Sequence, residues 1–391
     1  MGRKCLVSLV SAQTIPNVLL IKELGKMYPI DIYLFITTPR MKKDKKHSYI
    51  INACGLDEKK VKLVEVKEDD VKETQEKLKT FFEEVGDDVE FIVNITGGTK
   101  LMAIATYDFF IGNKPHVYYI PFPQNTYIQI LPERINNRFK INTRLTLKEY
   151  LESHGIEFKK GNPVGNQGIT RSVLKFFIKD DNNAFFEVMR ELRNNKKVRR
   201  KKGIYLEKIS DVIKKLNLSP ASIRDTLISL FEKAEYENSV IWEQLLRLRN
   251  ENFLSKDIIE FLSGNWFEEY IYFELLSNIS EEFLAVHLYI HKNGVPNDID
   301  VALVHDNKFY YIECKTLLKA GEKGSILGET LHKMNSIKTK FGLSVYPILA
   351  TLEEKERDFI KSQSDRFKDM RIKLLSREDI LEGNLLGQIL S

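Results

Sequence analysis

Cysteine is scarce in this chain, with only Cys5, Cys54 and Cys314 among 391 residues and no C-x-x-C pair. That scarcity argues against a disulfide framework and a cysteine-built zinc site, and it suits a reducing, cytoplasmic setting. No apolar run approaches the roughly 20 residues that span a bilayer, so no membrane segment is expected. The apolar start of "MGRKCLVSLVSAQTIPN" has no signal-type cleavage site behind it and reads as a first strand. A dominant charge is missing too, because a net +5 does not announce a nucleic-acid binder. One stretch is locally basic: Lys196 to Lys202 holds six basic residues in seven, either a solvated surface or a phosphate-contacting patch. Also absent are G-x-G-x-x-G and G-x-x-x-x-G-K-[ST], which disfavours dinucleotide and P-loop nucleotide binding. There is no internal repeat and no low-complexity segment.

What is present suits a globular protein of two or three domains, with 43% hydrophobic and 29% charged residues. Residues 1–135 alternate strand and helix. "KCLVSLV", "DIYLFI", "KLVEVK" and "EFIVNI" are near-continuous apolar strands, and "PNVLLIKELGKMY" is a helix with Pro16 near its start. Val71, Leu78, Phe82 and Val85 fall on one face of another helix. Such alternation predicts a mainly parallel sheet covered by helices on both faces, a Rossmann-like domain of α/β class. Residues 136–260 read as a mostly helical connector, opened by a capping box at Thr146 and Glu149. "KKGNPVGNQG" within it reads as a loop. Residues 261–391 alternate again: a helix from Asn265, strands "FLAVHLYIH", "IDVALVH" and "KFYYIECK", a helix from "ILGETLHK" and strand "SVYPILA".

The hairpin "IDVALVHDNKFYYIECK" carries the sharpest chemistry. Alternate strand residues share a face, so Glu313 and Lys315 point one way and Cys314 the other. A turn at Asp306-Asn307 returns the chain so that Asp300 approaches Glu313 and Lys315. Oxygen ligands of this kind suit Mg²⁺ or Mn²⁺, which polarises a phosphodiester and acidifies a bound water. Lys315 is placed to orient that water or to stabilise charge on the phosphate. The bland alternative is a surface ion pair of little energetic value. Asp298 rivals Asp300 but is assigned to the entry turn before the strand. His305 reads as a strand-end residue and Lys333 as a solvated helical lysine.

A second constellation lies in the first domain. "VSAQTIPN" and "NITGGTK" both sit after strands, where open α/β sheets bind ligands. Gly97 and Gly98 admit close backbone approach, and the N–H groups of the following helix suit an anion. Ser11, Gln13, Thr14, Asn17, Thr96, Thr99 and Lys100 add donors, with Thr37 and Thr38 on the same rim. The alternative is a set of ordinary β–α turns and helix caps.

"DID…IECK", with Asp300, Glu313 and Lys315, resembles the PD-(D/E)xK signature of restriction-endonuclease-like nucleases. "GNWFEEY" resembles the preceding helix that supplies such nucleases with a further acid, Glu268 in the usual register or its neighbour Glu269. "NITGGTKLMAIA", and more weakly "SAQTIPN", resemble the ligand loops of CARF (CRISPR-associated Rossmann fold) domains. Together the first and last thirds of the chain resemble the CARF nucleases of type III CRISPR systems. That resemblance implies a homodimer that binds a cyclic oligoadenylate, cyclic tetra-adenylate foremost, through Ser11, Gln13, Thr14, Asn17, Thr38, Thr96, Gly97, Gly98, Thr99 and Lys100. It implies metal-dependent cleavage of DNA, RNA or both, with Asp300, Glu313 and Glu268 as metal ligands and Lys315 assisting the attacking water. The R-x(4–6)-H motif of the HEPN branch matches only Arg40 to His47, inside the first domain, and is disfavoured. Two rival readings stand beside the nuclease: a CARF-linked regulator that binds nucleic acid without cutting it, and a CARF domain that degrades its own activator.

Overall fold

The computed structural model describes residues 2–86, 88–132, 137–179, 183–195, 198, 200, 202–209, 219–232, 240–292, 294–318, 326–341, 344–355 and 364–391. Five apolar segments, β1 (Arg3–Leu9), β2 (Ile32–Thr37), β3 (Val61–Glu65), β4 (Val89–Asn94) and β5 (His116–Tyr119), form the parallel part of a sheet ordered β3-β2-β1-β4-β5. Two antiparallel strands, β6 (Thr126–Leu131) and β7 (Asn137–Lys140), continue it. Helices α1 (Ile15–Leu24), α2 (Lys46–Cys54), α3 (Val71–Val85) and α4 (Lys100–Phe110) cover both faces. Strand alternation divides β1 between them. Cys5, Val7 and Leu9 pack with Leu78 and Phe81 of α3 and Phe110 of α4, whereas Leu6 packs with Val18, Leu19 and Ile50 of α1 and α2.

Strand pairing draws the internal limits differently from composition. β7 belongs to the first sheet although a limit was expected at residue 135. The capping box forms as read: Glu149 N donates to Thr146 Oγ1 at 3.2 Å and Thr146 N to Glu149 Oε2 at 2.9 Å, opening α5 (Leu147–Ser153). β8 (Glu157–Lys160) then joins the second sheet, so "KKGNPVGNQG" begins in a strand and the connector is not helical throughout. Helices α6 (Gln167–Lys179), α7 (Asn183–Asn194), α8 (Pro220–Glu232) and α9 (Val240–Glu251) follow, with a small ribbon of β9 (Gly203–Tyr205) and β10 (Phe253–Ser255). Most of the basic run Lys196 to Lys202 lies outside the described residues.

The second sheet is ordered β15-β14-β13-β12-β11-β8, from β11 (Leu284–Lys292), β12 (Val295–His305), β13 (Lys308–Lys315), β14 (Val345–Thr351) and β15 (Lys373–Leu375). Helix α10 (Trp266–Leu276) packs on one face and α11 (Ile326–Phe341) on the other. The β12–β13 turn is built by Asp306 and Asn307 at φ 53° and 62°, a left-handed pair that Asp and Asn tolerate. This turn is anchored in the first domain. Asn307 is buried; it accepts from Leu145 N at 2.9 Å and donates to Asn125 Oδ1 at 2.9 Å and Thr143 O at 3.0 Å. Arg144 pairs with Asp306 at 2.8 Å. Beside it Tyr150 stacks on Phe309, with 5.4 Å between centroids, and donates to Ser344 O at 3.1 Å. One apolar layer therefore runs from α1, α2 and α5 into the second sheet.

Candidate active site and ligand rim

Hairpin geometry gathers the acids and the lysine. Register pairs Val301 with Ile312, which puts Asp300 beside the end of β13. Asp300 Oδ2 accepts from Cys314 N at 2.7 Å and lies 3.6 Å from Lys315 Nζ, which sits 2.7 Å from Glu313 Oε1. The carboxylate side chains of Asp300 and Glu313 are only 8% and 4% exposed, which excludes the surface-pair reading. Burial, reinforced by the nearby Glu268 and Glu313 charges, drives the Asp300 carboxyl well above the usual carboxylate range. Lys315 is the counterweight: burial opposes its charge, but Asp300 and Glu313 outweigh this and hold the ammonium above its ordinary value. Cys314 packs with Ile312 in the core beneath α10, as the alternation predicts.

The structure separates the two glutamates of "WFEEY". Glu269 is fully buried and accepts from Val164 N at 2.9 Å and Gly165 N at 2.7 Å, holding the loop that leads into α6. Glu268 instead lines a cleft of about 570 Å³ together with Cys314, Lys315 and Thr316. His287 bridges the pair, 3.0 Å from Glu268 Oε2 and 3.4 Å from Glu269 Oε1. Burial alone would lower the imidazole's pKa, but the two carboxylates raise it to about 10. His287 has φ 49°, a left-handed conformation uncommon in a strand. Before it, Leu284 and Val286 pack toward α10; after it, Leu288 and Ile290 pack in the opposite core. β12 makes the same exchange around Asp300, with Val301 and Leu303 on the α10 side and Ile299 on the other. This change of faces lets Asp300 feel both Glu268 and Glu313.

Two expectations are corrected. Asp298 lies inside β12, paired with Tyr289, and not in an entry turn. Lys333 is no solvated lysine: its Nζ lies 2.9 Å from Glu313 Oε2, 3.1 Å from Oε1 and 3.5 Å from Asp298. A lysine on a helix carries no sequence mark of this role, since only packing of α11 beneath β13 aims it. The cleft's other wall was also missed. It comes from α7 through Glu187, Arg190, Glu191, Arg193 and Asn194.

At the first domain's rim the candidates divide. Thr14, Asn17 and Thr38 are buried and engaged inside the fold, contrary to a ligand-facing role. Thr14 Oγ1 donates to Ser153 O. Asn17 Nδ2 donates to Leu9 O at 2.9 Å and its Oδ1 accepts from Asn94 at 2.8 Å. Thr38 caps the turn at Met41 N, at 3.3 Å, and Thr37 is fully buried. Ser11, Gln13, Thr96, Gly97, Gly98, Thr99 and Lys100 stand at the ends of β1 and β4, with Lys100 exposed. Thr96 Oγ1 receives Ile120 N at 2.9 Å, and Thr99 Oγ1 caps α4 at Met102 N, at 3.2 Å. Gly97 has an internal reason as well, because a Cβ there would meet Leu9 O at 2.1 Å. Gly98 turns the backbone at φ 70°.

A Rossmann-like sensor joined to an endonuclease-type acid–lysine site defines the class. Residues 5–150 match the model of the Card1 CARF domain, and residues 255–385 match that of the Card1-like endonuclease domain. The chain thus joins a CARF domain to an endonuclease domain, each of the Card1 type. It is similar over almost its whole length to Can2 from Sulfobacillus thermosulfidooxidans, solved in complex with cyclic tetra-adenylate (20% identity, TM-score 0.65, 98% of this chain and 96% of that one). It is likewise similar to protein VC1899 from Vibrio cholerae (16% identity, TM-score 0.69, 98% of this chain and 97% of that one). No curated protein matches.

Proposed function

We propose that this chain is a nuclease of type III CRISPR defence, switched on by cyclic tetra-adenylate and cutting DNA, RNA or both with Mg²⁺ or Mn²⁺. The observation that carries the reading is the meeting of Asp300, Glu313 and Lys315 at the end of one hairpin, with Glu268 of α10 on the cleft that Lys315 also lines, in a chain whose first third is a CARF domain. The ring size takes its support from the ligand in the Can2 complex.

Asp300 and Glu313 offer hard oxygen donors on a common cation, the Lys315 ammonium, and this donor set fits a divalent metal. Among the described residues no three acidic, His or Cys side chains are already drawn together as a complete metal set; Glu268, on the cleft that Lys315 lines, would add a ligand from α10 directly or through water. A bound metal supplies polarisation of the phosphodiester and a more acidic water. Lys315 orients the attacking water and Lys333 balances the charge on Glu313. Burial strengthens each of these interactions over its value in water.

Ser11, Gln13, Thr96, Gly97, Gly98, Thr99 and Lys100 bind the activator from the ends of β1 and β4. The ligand's own two-fold symmetry matches a homodimer. Leu101 and Ile104, 42% and 58% exposed at i and i+3 on α4, supply an apolar face beside Lys100 for that pairing. Activation requires tighter binding of the ring to the cleaving form than to the idle one.

The test is cleavage of plasmid, single-stranded DNA and RNA in Mn²⁺ with and without cyclic tetra-adenylate. Ligand-dependent products that vanish in Glu313→Ala are expected. Equal cleavage by E313A and the parent would sink the catalytic assignment. Ligand-dependent binding with no product under any divalent metal would favour the non-cleaving regulator.

A further inference from the structure

Lys315 and Thr316, at the end of the hairpin, line a cleft of about 570 Å³ whose other wall is α7 of the connector. That helix is divided by its period. Phe186, Met189 and Leu192 are buried in the core, while Glu187, Arg190, Glu191 and Asn194 fall on the cleft side at i, i+3, i+4 and i+7. Arg190 is the best placed of these. Its Nη2 donates to Thr316 Oγ1 at 2.9 Å, so the guanidinium is moored one residue beyond Lys315. Thr316 is a neutral acceptor, and a planar guanidinium offers five donors suited to bidentate capture of a phosphate. Burial, partly offset by Glu187 and Glu353, lowers the pKa of Arg190, as expected for a cation taken out of water.

We infer that Arg190 grips a phosphate of the nucleic-acid substrate beside the bond being cut, which makes the connector helix the second wall of the nuclease cleft. The inference rests on the nuclease reading above. It gives the middle third of the chain a role in substrate binding, and the hydrogen bond to Thr316 positions the guanidinium for it.

The experiment uses the full-length protein with cyclic tetra-adenylate and a fluorescein-labelled oligonucleotide, single- and double-stranded. Binding is measured in EDTA across about 50–200 mM salt, and cleavage is measured separately in Mn²⁺. Arg190→Gln is expected to reduce the slope of log K against log salt by roughly 0.7–0.9, the loss of one phosphate contact, and to raise KM about fivefold or more. Arg190→Lys keeps the charge and hence the slope but raises KM, because an ammonium lacks the fork. Thr316→Val leaves the slope intact and raises KM less than R190Q does. A parental slope and KM in R190Q would overturn the inference. If R190Q melts early, R190K decides alone, and parental KM and kcat in R190K overturn it. A parent protein that never cleaves defeats the nuclease reading instead, since the salt slope is measured without turnover.

Discussion

Glu268 and Glu269 are adjacent in sequence and opposite in consequence, and their separate replacement by alanine tests the site most directly. Glu269 is fully buried, with two backbone N–H donors at 2.9 and 2.7 Å. Each hydrogen bond to an ionised acceptor contributes about 1.5–3 kcal/mol. Glu269→Ala removes both and leaves Val164 N, Gly165 N and the His287 ring short of an acceptor, a loss of about 3–5 kcal/mol. At 2–4 °C per kcal/mol for a unit of this size, the melting temperature should fall by roughly 6–20 °C. Glu268 is 17% exposed and faces the cleft, and its charge is one cause of the raised Asp300 carboxyl. Glu268→Ala relieves that repulsion while giving up one side of His287, so stability should shift by only about 1 kcal/mol. Cleavage should instead fall about 10–100-fold, the effect of losing an outer partner of a metal site. The assays are a thermal melt and the initial rate of oligonucleotide cleavage at saturating activator. If E269A keeps the parental melt while E268A keeps the parental rate, the division of labour between the two acids is wrong.

Three further outcomes are expected. His154 is buried between Tyr150 and Phe341, with centroids 4.8 and 6.0 Å away, and burial holds its pKa down at about 4. An unfolded histidine titrates near 6.5, so between about pH 6.5 and 4 only the unfolded chain takes the proton. Stability should fall as pH drops through that window, by up to about 3 kcal/mol, with no contribution above it; denaturation curves of His154→Phe should lack this slope. Asn307→Gly keeps the left-handed turn but deletes three hydrogen bonds into the first domain, at 2.9, 2.9 and 3.0 Å. Hydrogen exchange should rise at Leu145 and at the turn, and unactivated and activated cleavage rates should draw together; unchanged exchange would remove the turn as a link between domains. The double variant Leu101→Asp, Ile104→Asp should be monomeric by light scattering and unresponsive to activator, and a dimeric variant would refute that face as the interface.

Much of the architecture was legible because period carries it. Near-continuous apolar strands meant a parallel sheet, a capping box marked the start of α5, and Asp306-Asn307 marked a two-residue turn. Strand alternation, acting within one hairpin, was enough to place Glu313 and Lys315 together with Asp300 and to turn Cys314 inward. These are local consequences of backbone geometry, which the sequence states directly. Contacts that depend on how elements pack are different in kind. Lys333 reaches Glu313 only because α11 lies under β13, and Glu268 is chosen over Glu269 by where α10 rests on the sheet. Thr14 and Asn17 look like ligand donors in the chain, yet packing turns them to Ser153, Leu9 and Asn94. β8 joins the second sheet, and Arg190 reaches Thr316 at the end of the acid–lysine hairpin more than a hundred residues away in sequence. Residue type and spacing decided which groups this protein has for its chemistry; only long-range packing, which fixes burial and orientation together, decided which of them meet.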